Sequence, residues 1–84
     1  MKLVFTENSW EDYLFWQEHD LRKVERINEL LKDISRQPFK GLGKPEPLRG
    51  NLGGWWSRRI DNEHRLVYRV EKDELIVLQC RYHY

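Results

Sequence analysis

All three prolines and all five glycines of this 84-residue chain lie between residues 37 and 54: Pro38, Gly41, Gly43, Pro45, Pro47, Gly50, Gly53 and Gly54. Proline lacks the amide that helix and sheet interiors use, and glycine is costly to order. No long helix or strand can run through the middle of the chain, so regular structure must form on either side of it. A connection of this length exceeds the linkers usual in compact domains. On a small scaffold it is either an ordered loop that carries function or a disordered one.

The two flanks differ in period. Lys2-Leu3-Val4-Phe5 is a short apolar run that suits a strand. Thr6 to Ser9 offer N-caps for a helix to about Glu18, in which Trp10, Tyr13, Leu14 and Gln17 keep helical spacing while Phe15 and Trp16 fall off that stripe. So many aromatics cover more than one helix face. Most are expected to be buried, with a second subunit open to the rest. Asp20 can cap a second helix in which Leu21, Val24, Ile27, Leu30, Leu31 and Ile34 recur at steps of three or four. Lys23, Glu25, Arg26, Glu29 and Lys32 then form a solvated face. The helix must stop before Pro38, and with only His19 between them the two helices fold back as a hairpin. Strands are expected at 55–60, 64–70 and 75–82. The order is β-α-α-β-β-β: one α+β domain over 1–84, a helical hairpin packed on a twisted, mainly antiparallel four-stranded sheet.

Composition narrows the classes. Alanine is absent and aromatics are 13% of the chain, so aromatic rings must fill much of the core. The lone Cys80 excludes an internal disulfide and a cysteine-rich zinc site. Three scattered histidines without a helical i,i+4 pair argue against a metal centre, and nothing points to a cofactor. No apolar run approaches a membrane span of roughly 18 residues. The start does not read as a secretory signal, and the expectation is a soluble protein of a reducing compartment. The net charge of +1 excludes an acidic tail or a polycation. That total hides segregation: residues 1–35 hold 5 basic and 8 acidic side chains, residues 36–69 hold 8 and 3, and residues 70–84 hold 2 and 3.

The positive block coincides with the strands. Sorting their apolar residues puts Leu66, Tyr68, Val70, Ile76, Leu78, Cys80 and Tyr82 on the core face, which requires a turn of odd length, such as Lys72-Asp73-Glu74. The other face carries Arg65, Arg69, Gln79, Arg81 and His83. With Asp61-Asn62-Glu63 as a loop, Arg59 lies opposite Arg65. Like charges facing each other are mutually destabilising, so these arginines bind an anion such as phosphate, splay to solvent, or pair with Glu46, Asp61 and Glu63.

Glu46 stands between Pro45 and Pro47 and between the cations Lys44 and Arg49, a stiff setting in which a carboxylate can act as a general base. His83, next to the end, can give up a proton near neutral pH. Base, acid and phosphate-binding arginines together suffice for attack of an RNA 2′-hydroxyl on its phosphorus. Tyr84 and Trp55 can stack on bases. His19 and His64 have no evident partners, and no Ser/His/Asp or P-loop signature is present.

Ser9-Trp10-Glu11-Asp12-Tyr13, Gly43-Lys44-Pro45-Glu46-Pro47-Leu48, Trp56-Ser57-Arg58-Arg59-Ile60, Glu63-His64-Arg65-Leu66-Val67-Tyr68 and Cys80-Arg81-Tyr82-His83-Tyr84 together resemble the YoeB-type toxins of the RelE superfamily of bacterial toxin–antitoxin systems. The resemblance spans the chain. It implies a RelE-like fold and a cytoplasmic, ribosome-dependent endoribonuclease that cuts mRNA in the A site without a metal. It also implies a homodimer silenced by a YefM-type antitoxin, with operator DNA reached only through the antitoxin and no membrane partner. By the same resemblance Glu46 is the base, His83 the acid, Arg65 a transition-state phosphate contact and Tyr84 a substrate-positioning residue. Lys44, Arg49, Arg59 and Trp55 would hold the RNA. Relatives commonly have lysine at position 49 and often phenylalanine at position 55, so Arg49 keeps the charge and Trp55 the aromatic ring. The competing classes are a toxin of the same fold that blocks ribosome or gyrase by binding alone, and a small nucleic-acid-binding module. Neither needs the Glu46/Arg65/His83 set.

Overall fold

The computed structural model describes residues 1–84. Strand β1 (Lys2–Phe5) leads into α1 (Glu7–His19) and α2 (Leu21–Arg36). After the proline- and glycine-rich segment come β2 (Glu46–Pro47), a 3-10 turn (Gly50–Leu52), β3 (Trp56–Arg59), β4 (Arg65–Glu71) and β5 (Glu74–Gln79). Thr6 caps α1, its side chain accepting from the Ser9 amide; Asp20, in an extended conformation, ends α1 and caps α2 by accepting from the Arg22 amide. One residue therefore makes the hairpin corner.

The sheet has five strands, not four, in the order β1-β5-β4-β3-β2. Only β1 and β5 run parallel. The extra strand is the proline-bounded pair Glu46–Pro47, antiparallel to β3 with Glu46 opposite Ser57. Proline removes a ladder donor, and an edge strand tolerates that.

Both helices cover one face of the sheet, where Trp16, Ile27, Leu30, Leu31, Ile34, Ile60, Leu66, Tyr68, Leu75, Val77 and Cys80 form the core. The expected sorting of the last strand fails at two points. The β4–β5 turn is two residues, Lys72 and Asp73, with φ of 50° and 61°. Positive φ at both central residues is what a two-residue hairpin needs to match strand twist. Leu75 and Val77, rather than Ile76 and Leu78, therefore face the helices, opposite Val70 and Tyr68. A register shift between Val67 and Tyr68 then leaves Leu78 as an extra residue, and Cys80 returns to the core. Tyr82 is exposed because β5 ends at Gln79.

On α1 Ser9 and Trp16 are buried and Tyr13 and Phe15 are half-buried against the core, whereas Trp10 and Leu14 are exposed; the rings of Phe5, Trp10 and Tyr13 cluster together. The predicted stripe was rotated because Trp16 reaches under the sheet's end, where its indole N–H donates to the Cys80 carbonyl at 2.8 Å. On α2 the expected stripe is buried from Ile27 to Ile34, and Asp33 is buried with it; Leu21 is exposed. Lys23 is not merely solvated, since its ammonium meets the Asp61 carboxylate at 2.8 Å.

Candidate functional site

Register decides which side chains meet on the face that the helices leave open. Glu46 lies opposite Ser57, Ser57 opposite Val67, and Arg59 opposite Arg65, so all of these share one face. Beyond β5 the chain crosses that face. The Arg65 amide donates to the Tyr82 carbonyl at 3.0 Å, and the Tyr84 hydroxyl lies 3.3 Å from Ser57 Oγ on β3. The result is a polar cleft of about 170 Å³ lined by Lys44, Glu46, Ser57, Arg59, Arg65, His83 and Tyr84.

Its electrostatics are lopsided. Lys44, Glu46, Arg59 and Arg65 take part in none of the molecule's ion pairs. Of the other two carboxylates expected beside the arginines, Asp61 pairs with Lys23, and Glu63 lies 3.5 Å from His64 Nε2. Arg65 is buried, and its Nη1 donates to the carbonyls of Asp61 at 2.7 Å and His64 at 3.1 Å. Those bonds orient the guanidinium while Nη2 and Nε remain for the cleft. A planar fork held this way matches two oxygens of a phosphate.

Glu46 and Lys44 arrive from the long loop, which is ordered by a group the sequence reading passed over. Arg58, alternating with Ser57 and Arg59, points to the helix side and is fully buried. Its Nη1 meets Asp33 Oδ2 at 2.6 Å and the Leu42 carbonyl at 3.1 Å; Nη2 donates to the carbonyls of Gln37 and Lys40, and Nε to the Tyr68 hydroxyl. All five guanidinium donors are used, four of them on α2 and the loop after it. Asp33 also accepts from the Leu42 amide, and the hydrogen bond from Arg58 is the first reason its carboxyl is held down at about 2. The loop then crosses β3 at Gly43, whose carbonyl accepts from the Arg59 amide at 2.7 Å. With φ of 79° and Arg59 O 3.1 Å from where a Cβ would stand, position 43 requires glycine.

Of the residues expected in the site, Lys44, Glu46, Arg59, Arg65, His83 and Tyr84 line the cleft together. Two do not. Arg49 is exposed at the start of the 3-10 turn, and Trp55 lies under Arg69, whose guanidinium carbon is 4.5 Å from the indole centroid. Ser57 was missed, though its position two before Arg59 signalled the shared face. No three His, Cys, Asp or Glu side chains converge as a metal site, and no helix is long and apolar enough to cross a membrane.

Two helices packed on a mostly antiparallel five-stranded sheet, with this cleft on the uncovered face, define a RelE-like toxin. The chain belongs to the YoeB-like toxins of bacterial type II toxin–antitoxin systems, whose family model matches residues 5–84. It is 63% identical to toxin YoeB of Escherichia coli strain K12 over 84 residues, covering all of both chains. The YoeB/ParE toxin from Agrobacterium tumefaciens superposes with a TM-score of 0.98 at 59% identity, again over the full length of both. YoeB of Staphylococcus aureus, solved as a dimer, covers 100% of this chain and 98% of its own at a TM-score of 0.94 and 46% identity, and it has also been solved as a YoeB–YefM complex.

Proposed function

We propose that the cleft is the active site of a ribosome-dependent endoribonuclease that cuts mRNA in the A site. The observation that carries the reading is the meeting of an unpaired carboxylate, three unpaired cations and a histidine around one cavity. Glu46 takes the proton of the RNA 2′-hydroxyl, whose oxygen attacks the adjacent phosphorus. Arg65, with Arg59 and Lys44 beside it, stabilises the charge that builds on the phosphoryl oxygens. His83 gives its proton to the departing 5′-oxygen, leaving a 2′,3′-cyclic phosphate. Tyr84, its hydroxyl against Ser57, orients the nucleotide at the reacting phosphate. These groups complete the proton transfers among themselves.

The reading extends to partners. Trp10, Leu14, Leu3 and Leu21 are large apolar side chains left exposed, which fits a protein that is covered by others. The S. aureus relative forms a dimer and a YefM complex, and by this reading the chain pairs with a second copy and with a YefM-type antitoxin in the bacterial cytoplasm, meeting operator DNA only through that antitoxin.

The test compares wild type with Glu46→Gln, His83→Gln and Arg65→Ala in a translating extract, mapping mRNA 3′ ends. Each variant is expected to lose at least about a hundredfold in cleavage while keeping its far-UV spectrum. Translation arrest by Glu46→Gln without new mRNA ends would favour a toxin that acts by binding alone. Undiminished cleavage by His83→Gln would remove the assigned acid.

A further inference from the structure

His64, expected to lack a partner, has one in Tyr82, the residue just before the two that enter the cleft. We propose that His64 is a positioning residue that holds the C-terminal pair His83 and Tyr84 in place through the lone pair of its neutral Nδ1. The proposal rests on the nuclease reading above. The β5 ladder ends at Gln79, so the residues that follow have no strand partner on that side. Tyr82 is instead gripped at both backbone groups by neighbouring residues of β4 and its approach. Its N–H donates to His64 Nδ1 at 2.7 Å, and its carbonyl accepts from the Arg65 amide at 3.0 Å.

The grip fixes more than a distance. Tyr82 sits at φ 66°, the left-handed region a bulky side chain rarely adopts. That turn sends the chain across the open face, placing His83 and Tyr84 on the cleft. A conformation of this kind persists only where its surroundings over-determine it. An amide can only donate, so Nδ1 must carry a lone pair and the ring proton of the neutral form sits on Nε2, 3.5 Å from Glu63 Oε1. The ring itself is buried, edge-on to Trp16 at 4.8 Å. Its own amide is held by the Asp61 carboxylate, and its carbonyl takes Arg65 Nη1. His64 thus links the arginine on the phosphate side to the tail that carries the acid.

Three substitutions separate this role from packing. In His64→Asn the amide oxygen stands where Nδ1 stood; in His64→Gln it stands one bond further out; in His64→Ala the acceptor is gone. The measurement is single-turnover cleavage of a short mRNA on programmed ribosomes, with Glu46→Gln alongside, and hydrogen exchange of the Tyr82 amide in each free protein. His64→Asn should keep the maximal rate within about threefold, whereas Ala and Gln should lower it at least about thirtyfold, since an ångström of misplacement can cost a hundredfold. The toxin concentration giving half the maximal rate should stay within about threefold throughout, and the Tyr82 amide should be protected in wild type and Asn only. If Glu46→Gln is inactive and the three His64 variants all cleave alike, the positioning role is overturned and the nuclease reading stands. If Glu46→Gln cleaves like wild type, the nuclease reading falls and the exchange data decide the clamp: equal protection in every variant overturns it. Should His64→Ala fail to fold, the contrast between Asn and Gln carries the test, and equal behaviour of those two overturns the proposal.

Discussion

Burial pushes the Cys80 thiol up to about 12, and the neighbouring Asp12 carboxylate adds to the effect. The sulfur faces the core and meets the Ser9 carbonyl at 3.6 Å. The native protein is therefore expected to resist iodoacetamide at pH 8, reacting at least about a hundredfold more slowly than in denaturant, because the thiolate is the nucleophile. Mass spectrometry of alkylated samples checks this, and equal labelling in both conditions would contradict it. Residue by residue, the legible positions were those whose chemistry is local. Glu46 stands out between two prolines, and His83 and Tyr84 belong to a motif at the chain's end. His64 was opaque because its partner is Tyr82, brought back by a turn after the sheet ends. Arg58 and Arg59 are neighbours in sequence, and only the pleat sends one to the core and the other to the cleft.

Among the elements, the segment between α2 and β3 departs furthest from its reading. Its length signalled function, but its order comes from Arg58, whose four bonds to Asp33 and to the carbonyls of Gln37, Lys40 and Leu42 organise the approach to Gly43. Arg58→Met should leave the buried Asp33 with only the distant Arg36, 3.9 Å away, in place of its 2.6 Å partner, and release the loop. The melting temperature is expected to fall by more than about 10 °C, with the Leu42 amide losing its exchange protection. A melting temperature within about 2 °C of wild type would show that the loop is held by something else. The hairpin of β4 and β5 teaches a second lesson. Alternation was visible in both strands, but phase depends on turn length. The left-handed pair Lys72-Asp73 carries no glycine or asparagine to announce a two-residue turn, and the extra residue at Leu78 resets the phase again.

The whole molecule divides by charge, its acidic helical half backing a basic sheet half, and two carboxylates tie the halves together. Asp33 is held at about 2, first by Arg58 and then by the Leu42 amide. Burial pushes Asp61 up, but Lys23 and the amides of His64 and Glu63 outweigh it and bring that carboxyl to about 2 as well. Both lie below the ordinary value of 3.8, so the stabilisation they give is complete above about pH 4 and is lost as pH falls from there towards 2. Denaturant midpoints should drop steeply as pH falls from 4 towards 2, and Asp61→Asn should flatten part of that drop. A midpoint unchanged between pH 5 and pH 2 would refute the assignment. The order of the elements other than β2, the helical hairpin, the facing of Arg59 and Arg65 and the family itself were determined by the sequence alone, because periodicity, caps and local motifs act over a few residues. The fifth strand, the phase of β5, the arginine that orders the loop and the histidine that grips the tail were decided only by tertiary structure. Each depends on a hydrogen bond or a register between distant residues, which no local pattern encodes.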